Sequence, residues 1–142
     1  MPAIAALGAA MDHTARHRDD EAEAVALLRD TFERKLKETM SRVQIVGENV
    51  PRLPNTSLVI FPTGVEGEAL VNQLASRGVA VSTGSACSTG SLKPSRVLVA
   101  MGLKPDSTYR AVRFSFGPSN TEEEIHRVLA MLPKLASNVR GR

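Results

Sequence analysis

Segment 110–116 constrains the fold of this 142-residue chain more than any other stretch. Val112, Phe114 and Phe116 alternate with polar residues, among them Arg113. This alternation predicts a strand with one apolar and one polar face. The apolar face must be buried against other elements, and predicted helices precede and follow it. We therefore expect an α+β fold in which a small, mostly antiparallel sheet packs against helices.

The first forty residues predict a long N-terminal helix. Ile4, Leu7 and Met11 form a short apolar stripe, and apolar residues recur at steps of three and four from 19 to 40. Polar residues at 14–18 interrupt this pattern, which suggests a kink or a short turn. Acidic residues crowd the start of the second part, where a helix dipole would favour them.

The remaining chain alternates between short strands and helices. Thr121 and Glu124 form a capping-box pattern at the start of the last helix. Other strands are expected near 43–46, 58–61 and 79–82, and other helices near 66–77 and 94–102. We expect one unit, with a helical connector at 1–42 and a sheet-and-helix core at 43–142.

Composition argues against several classes of function. The net charge is only +3, and the chain has one Tyr and no Trp, so a stacking platform for bases is lacking and no nucleic-acid partner is expected. No apolar run reaches the roughly 18 residues that span a membrane. A single cysteine forms no internal disulfide, and the N-terminus lacks a basic leader. We expect a cytoplasmic protein without membrane association.

The only cysteine, Cys87, lies within the run 82–91, which consists mainly of Ser, Thr and Gly. This run follows the apolar segment 79–81 and predicts a pliable loop after a strand. A reactive thiol needs access and thiolate character. A lone cysteine is also often a small buried hydrophobe, so the loop alone leaves both interpretations open.

Five segments together resemble the C-terminal part of cysteine desulfurases, which belong to the class-V aminotransferase group of fold-type I pyridoxal phosphate (PLP) enzymes. They follow the order and spacing of that family through almost the whole chain. The segments are LPNTS (53–57), GVEGEAL (64–70), AVSTGSACS (80–88), LKPSRVL (92–98) and VRFSFG (112–117).

The resemblance implies a small-domain fold and roles for three residues. Cys87 would be the catalytic nucleophile that takes sulfur from L-cysteine as a persulfide and leaves L-alanine. Arg113 would bind the substrate carboxylate, and a guanidinium can do so with two parallel hydrogen bonds. Asn55 would lie beside the active-site entrance. From the residues alone, Arg113 is also compatible with a solvated surface arginine, and Asn55 with a turn residue after Pro54.

The resemblance also implies PLP and a large PLP-binding domain that carries the Schiff-base lysine. None of the five lysines of this chain (Lys35, Lys37, Lys93, Lys104 and Lys134) lies in that family motif. We therefore expect the isolated chain to be inactive and to need a PLP-binding large domain, as a separate chain or a missing segment. A sulfur-acceptor protein, such as an iron–sulfur scaffold, and a homo-oligomer are further expectations.

Two alternatives to a part of a desulfurase remain open. The chain could be a non-catalytic fragment, or it could be a carrier module that accepts a persulfide on Cys87 from another enzyme.

A metal site is not expected, because His13 and His17 share a helix face without a third ligand. The glycines at 64 and 67 lack the spacing of a phosphate loop and predict a turn.

Overall fold

The computed structural model describes residues 1–83 and 94–139. Cys87 and most of its loop therefore lie outside the described residues. Within these ranges the elements are α1 (Pro2–Thr39), β1 (Gln44–Ile45), β2 (Thr56–Ile60), α2 (Gly67–Ala75), β3 (Ser82–Thr83), α3 (Arg96–Ala100), α4 (Pro105–Thr108), β4 (Ala111–Ser115) and α5 (Glu122–Asn138).

The strands form one sheet in the order β1-β2-β4-β3, and every pair of neighbours is antiparallel. Val59 on β2 lies opposite Val112 on β4, and Ser82 on β3 lies opposite Arg113. The expected α+β fold with an antiparallel sheet and a long N-terminal helix is confirmed. The strand predicted at 79–82 enters the sheet only at Ser82 and Thr83.

One face of the sheet, together with α1, α2 and α5, encloses the core. Val112 and Phe114 are buried, as their alternation predicts, and the ring of Phe32 from α1 lies 4.7 Å from that of Phe114. Leu129 from α5 and Leu74 from α2 complete the same cluster. Burying each large side chain contributes about 1.5–3 kcal/mol. Since α1 shares this core, the division into a connector and a core at residue 42 stays a prediction.

Helix α1 runs without interruption from Pro2 to Thr39, so the short turn considered at 14–18 is wrong, whereas a kink there stays a prediction. The Thr14 hydroxyl donates to the Ala10 carbonyl at 2.9 Å, which satisfies this polar side chain inside the helix. The acidic residues at 19–23 therefore lie mid-helix and not at a helix start. All of the first twenty residues are exposed, including the stripe of Ile4, Leu7 and Met11. Among the described helices, none is both long and apolar enough to cross a bilayer.

Within residues 1–83 and 94–139, the opposite face of the sheet is covered only at one end. Leu98 of α3 packs on Ile60 and Ala111, whereas Arg113 and Ser115 further along β4 stay exposed. The single turn α4, which the sequence did not predict, begins at Pro105 and leads into β4.

The capping box at the start of α5 is confirmed. The Glu124 amide donates to the Thr121 hydroxyl at 3.3 Å, and the Glu124 carboxylate accepts from the Thr121 amide at 3.1 Å. The hydrogen bond from the Asn120 side chain, followed by that from the Thr121 amide, lowers the pKa of Glu124. This cap fixes where the chain turns from β4 into α5.

Gly67 begins α2 against the backbone of β4, and we predict that Gly67→Ala destabilises the chain. Its amide donates to the Tyr109 carbonyl at 2.9 Å, and an added Cβ would lie 2.8 Å from that oxygen and 3.0 Å from the Ala111 carbonyl. Because both neighbours are backbone atoms, the expected loss is about 1–3 kcal/mol. Urea unfolding followed by circular dichroism measures it.

The matched control is Gly8→Ala on the exposed half of α1, where nothing lies within 4 Å of an added Cβ. This change should stabilise the helix by about 0.5–1 kcal/mol. Equal unfolding midpoints for the two variants would contradict the close approach of α2 to β4.

Candidate functional site

The candidate site lies on the uncovered part of the sheet, which we call the open sheet face. Side chains directly opposite each other in antiparallel strands point to the same face. Leu58 on β2 and Ser82 on β3 lie opposite Arg113, and Thr56 lies opposite Ser115. These five residues define the open sheet face, with Arg113 on its central strand.

Arg113 extends from the face opposite the core, as its position in the alternating pattern predicts. It is exposed, and within the described residues no hydrogen bond or ion pair engages its guanidinium. A guanidinium carries five N–H donors in a planar fork, which matches the two oxygens of a carboxylate. Arg113 is thus available for an anionic ligand, while its role in substrate binding stays a prediction.

The segment that carries Cys87 begins beside Arg113. Thr83 is the last described residue before it, and Ser82 on the same strand lies directly opposite Arg113. The chain is described again from Pro94, where the Ser95 hydroxyl caps α3 by accepting from the Leu98 amide at 3.5 Å. Before this segment the described chain thus ends on the strand beside Arg113, and after it the chain continues into α3, which covers the other end of the face that carries Arg113.

The sequence alone does not predict that Ser82 and Arg113 are neighbours. The two residues are separated by thirty intervening positions, and neither pattern nor spacing indicates their register. Only an antiparallel pairing of β3 with β4 would have indicated it, and β3 is just two residues long.

Asn55 lies at the end of the same pair of strands and not next to Arg113. Its carbonyl accepts from the Phe116 amide at 2.9 Å, and its side-chain oxygen accepts from the Thr56 hydroxyl at 3.2 Å. Asn55 directly precedes β2 and is three residues from Leu58, or about 10 Å at the usual rise of a strand. The structure therefore places Asn55 at the edge of the open sheet face, with its side chain exposed.

The two histidines of α1 lie on its exposed half. Their rings stack with centroids 4.4 Å apart, and His13 Nε2 lies 3.4 Å from the Glu21 carboxylate. In the described ranges, no group of three His, Cys, Asp or Glu side chains could hold a metal ion. Neither histidine belongs to the strands that form the open sheet face.

The described residues do not by themselves form a PLP site. A Schiff base needs a lysine, and the four described lysines lie on α1 (Lys35 and Lys37), at the start of α4 (Lys104) and on α5 (Lys134). Lys35 contacts His126 and Lys37 contacts Glu48, so both are engaged away from the open sheet face. The open sheet face offers a cation for an anionic group but no amine.

A cleft of about 260 Å³ lies on the other side of the sheet, between the end of β4 and α5. Apolar side chains such as Phe32, Val79 and Val128 line it, with Glu124 and Arg127 at its polar part. Arg113 does not contribute to this cleft, so we do not include it in the candidate site.

Comparison with known proteins finds similarity to cysteine desulfurases. A cysteine desulfurase of Gluconacetobacter diazotrophicus is 39% identical over 140 residues, which are 99% of this chain and 35% of that protein. Cysteine desulfurase NifS of Azotobacter vinelandii is 36% identical over 138 residues, which are 97% of this chain and 34% of that protein. The chain spans about a third of the length of the curated relatives that it matches.

Solved structures agree with this relation. A NifS-like protein from Rickettsia africae superposes with a TM-score of 0.74 at 25% identity, over 86% of this chain and 31% of that one. A second NifS-like protein gives 0.76 at 29% identity, over 91% and 31%. The family described as aminotransferase class-V matches residues 1–128, which is most of the sequence. The chain therefore belongs to the class-V aminotransferase family.

Proposed function

We propose that this chain is the cysteine-bearing part of a PLP-dependent cysteine desulfurase. The position of Arg113 supports this most directly, because an unengaged guanidinium lies opposite Ser82, on the strand that leads to the segment of Cys87. The substrate class is then a free amino acid with a thiol, whose carboxylate binds Arg113. The sequence relation to cysteine desulfurases supports the same assignment.

In this proposal the Cys87 thiolate attacks the sulfur of bound L-cysteine. A new S–S bond forms, the carbon–sulfur bond of the substrate breaks, and a persulfide remains on Cys87 while the carbon skeleton leaves as alanine. The electron pair of the broken bond needs a sink, and no described residue on the open sheet face supplies one. PLP supplies that sink when bound, and the protein orients the reactants around it.

Because no described residue accepts this electron pair, activity depends on a further domain that binds PLP. We propose that a PLP-binding domain, corresponding to the part of the relatives that this chain does not span, carries the Schiff-base lysine. The exposed apolar stripe of Ile4, Leu7 and Met11 is surface of the kind that a neighbouring domain covers. A sulfur acceptor, such as an iron–sulfur scaffold, would then receive the sulfur of Cys87, and we propose a homo-oligomeric assembly.

The role of Cys87 is tested in an assembled enzyme. We join this chain to the preceding two thirds of the Gluconacetobacter diazotrophicus cysteine desulfurase, add PLP and L-cysteine, and measure alanine and sulfide. Cys87→Ala should lower turnover by about a thousandfold or more, because the nucleophile is lost. The unjoined chain, as a control, should release neither product. Undiminished turnover of the Cys87→Ala assembly would contradict the proposed nucleophile.

Arg113 is tested by Arg113→Lys in the same assembly. Lysine keeps the positive charge but not the two parallel hydrogen bonds, so KM for L-cysteine should rise about tenfold or more with little change in kcat. Arg42→Lys is the matched control, because Arg42 is exposed in the turn after α1, away from the open sheet face. An unchanged KM in Arg113→Lys, or an equal rise in both variants, would remove Arg113 from the substrate site.

A further inference from the structure

The connection between β1 and β2 has no apolar anchor of its own. None of the residues at 47–54 is buried, and its larger apolar side chains, Val50 and Leu53, are 60% and 72% exposed. Burial of apolar surface normally holds a connection of this length in place. Contacts other than apolar burial must therefore hold residues 47–54 in place, and the path of these residues decides where Asn55 lies.

Helix α1 holds this connection at three points. Arg29, Glu33 and Lys37 are spaced four residues apart, so their side chains line one side of the helix. The Arg29 guanidinium donates to the Leu53 carbonyl at 2.8 Å. Lys37 contacts Glu48 at the other end of the connection.

The central contact is a two-bond ion pair. The Arg52 guanidinium donates to the two Glu33 carboxylate oxygens at 2.7 and 2.6 Å. Glu33 is only 5% exposed and Arg29 only 8%, so both charges are largely removed from water. The hydrogen bonds to Glu33 are the main reason that the pKa of Arg52 is raised above its usual value. We call Arg29, Glu33 and Arg52 the charged clamp.

Stability alone is a poor explanation for the charged clamp. Removing charges from water is costly, and well-packed apolar residues often stabilise a protein as much as a buried ion pair does. A fork of two parallel hydrogen bonds, in contrast, fixes both the distance and the orientation of its partners. The arrangement is therefore suited to setting the position of a segment.

The segment whose position it sets ends at Asn55. The Leu53 carbonyl is bound by Arg29, and the Asn55 carbonyl is bound by the Phe116 amide at 2.9 Å. These two bonds lie on either side of Pro54, whose ring restricts the backbone further. The backbone of Asn55 is thus tied both to α1 and to the end of β4.

We propose that Arg29, Glu33 and Arg52 are positioning residues, which hold Asn55 at the edge of the open sheet face so that its amide can contact the incoming amino acid. This role rests on the proposed function, because it assumes that the open sheet face binds substrate. Lysine at position 52 would keep the charge but lose the fork, and Asn55 would then be held less firmly.

Amide hydrogen exchange on the 142-residue chain tests the structural half of this proposal. In Arg52→Lys, the Phe116 amide, which is bound to Asn55, should exchange about tenfold faster. The amide of Val112, in the centre of the same strand opposite Val59, should keep its rate within about twofold. Glu33→Gln is a second variant that weakens the same pair and should give the same pattern.

Arg16→Lys is the matched control on the same helix. Arg16 forms an exposed pair with Asp12 at 2.7 Å on the first half of α1, far along the helix from Arg29 and Glu33, so neither amide should change. Equal acceleration of the Phe116 and Val112 amides in Arg52→Lys would show that the pair acts only on global stability, which would overturn the positioning role.

Kinetics of the assembled enzyme test the functional half. Arg52→Lys should raise KM for L-cysteine about as much as Asn55→Ala does, with little change in kcat, and the double variant should be no worse than Asn55→Ala alone. If Arg113→Lys raises KM but Arg52→Lys does not, the positioning role is overturned and the proposed function stands. If the native assembly is inactive, the proposed function fails, and the role of the clamp at a substrate site fails with it.

Discussion

The register between β2, β4 and β3 decides which residues this protein presents on the open sheet face. Val59, Val112 and Phe114 are buried on one face, and this burial favours the observed pairing of β2 with β4. A slip by one residue would exchange the two faces and bring Arg113 into the core. Burying an unpaired guanidinium costs so much free energy that the slipped register would be strongly disfavoured. Hydrophobic packing on one side of the sheet therefore holds the guanidinium on the other.

Two helices, α3 and α1, contact opposite borders of the open sheet face. Leu98 of α3 covers one end of the open sheet face, and the charged clamp ties the segment before Asn55 to α1. The first half of α1 extends beyond these contacts with its side chains exposed. One helix thus carries both an exposed apolar stripe and the charged clamp that holds the connection before Asn55.

The sequence predicted those features that depend on local pattern. The alternation around Arg113 placed its side chain opposite the core, and the spacing of Thr121 and Glu124 placed the start of α5. The mixture of predicted strands and helices indicated the α+β fold class. The short turn considered within α1 was wrong, because Thr14 donates to the Ala10 carbonyl on the surface of a continuous helix.

Features that depend on distant pairing were not accessible in the same way. Ser82 lies opposite Arg113 only because β3 pairs with β4, and two residues carry too little pattern to indicate a register. The ion pair of Glu33 and Arg52 joins positions nineteen apart whose charges look like ordinary surface residues in the sequence. Glu33 differs from the exposed charges around it by being buried, and burial cannot be read directly from the sequence.

Alkylation of Cys87, the only cysteine, tests whether Arg113 and Cys87 act on the same carboxylate-bearing substrate. The rates of Cys87 with iodoacetate and with iodoacetamide are compared at low ionic strength, where a nearby cation favours the anionic reagent. Arg113→Gln should lower the ratio of the two rates about fivefold, whereas Arg42→Gln should leave it unchanged. A ratio that does not respond to Arg113→Gln would contradict the account.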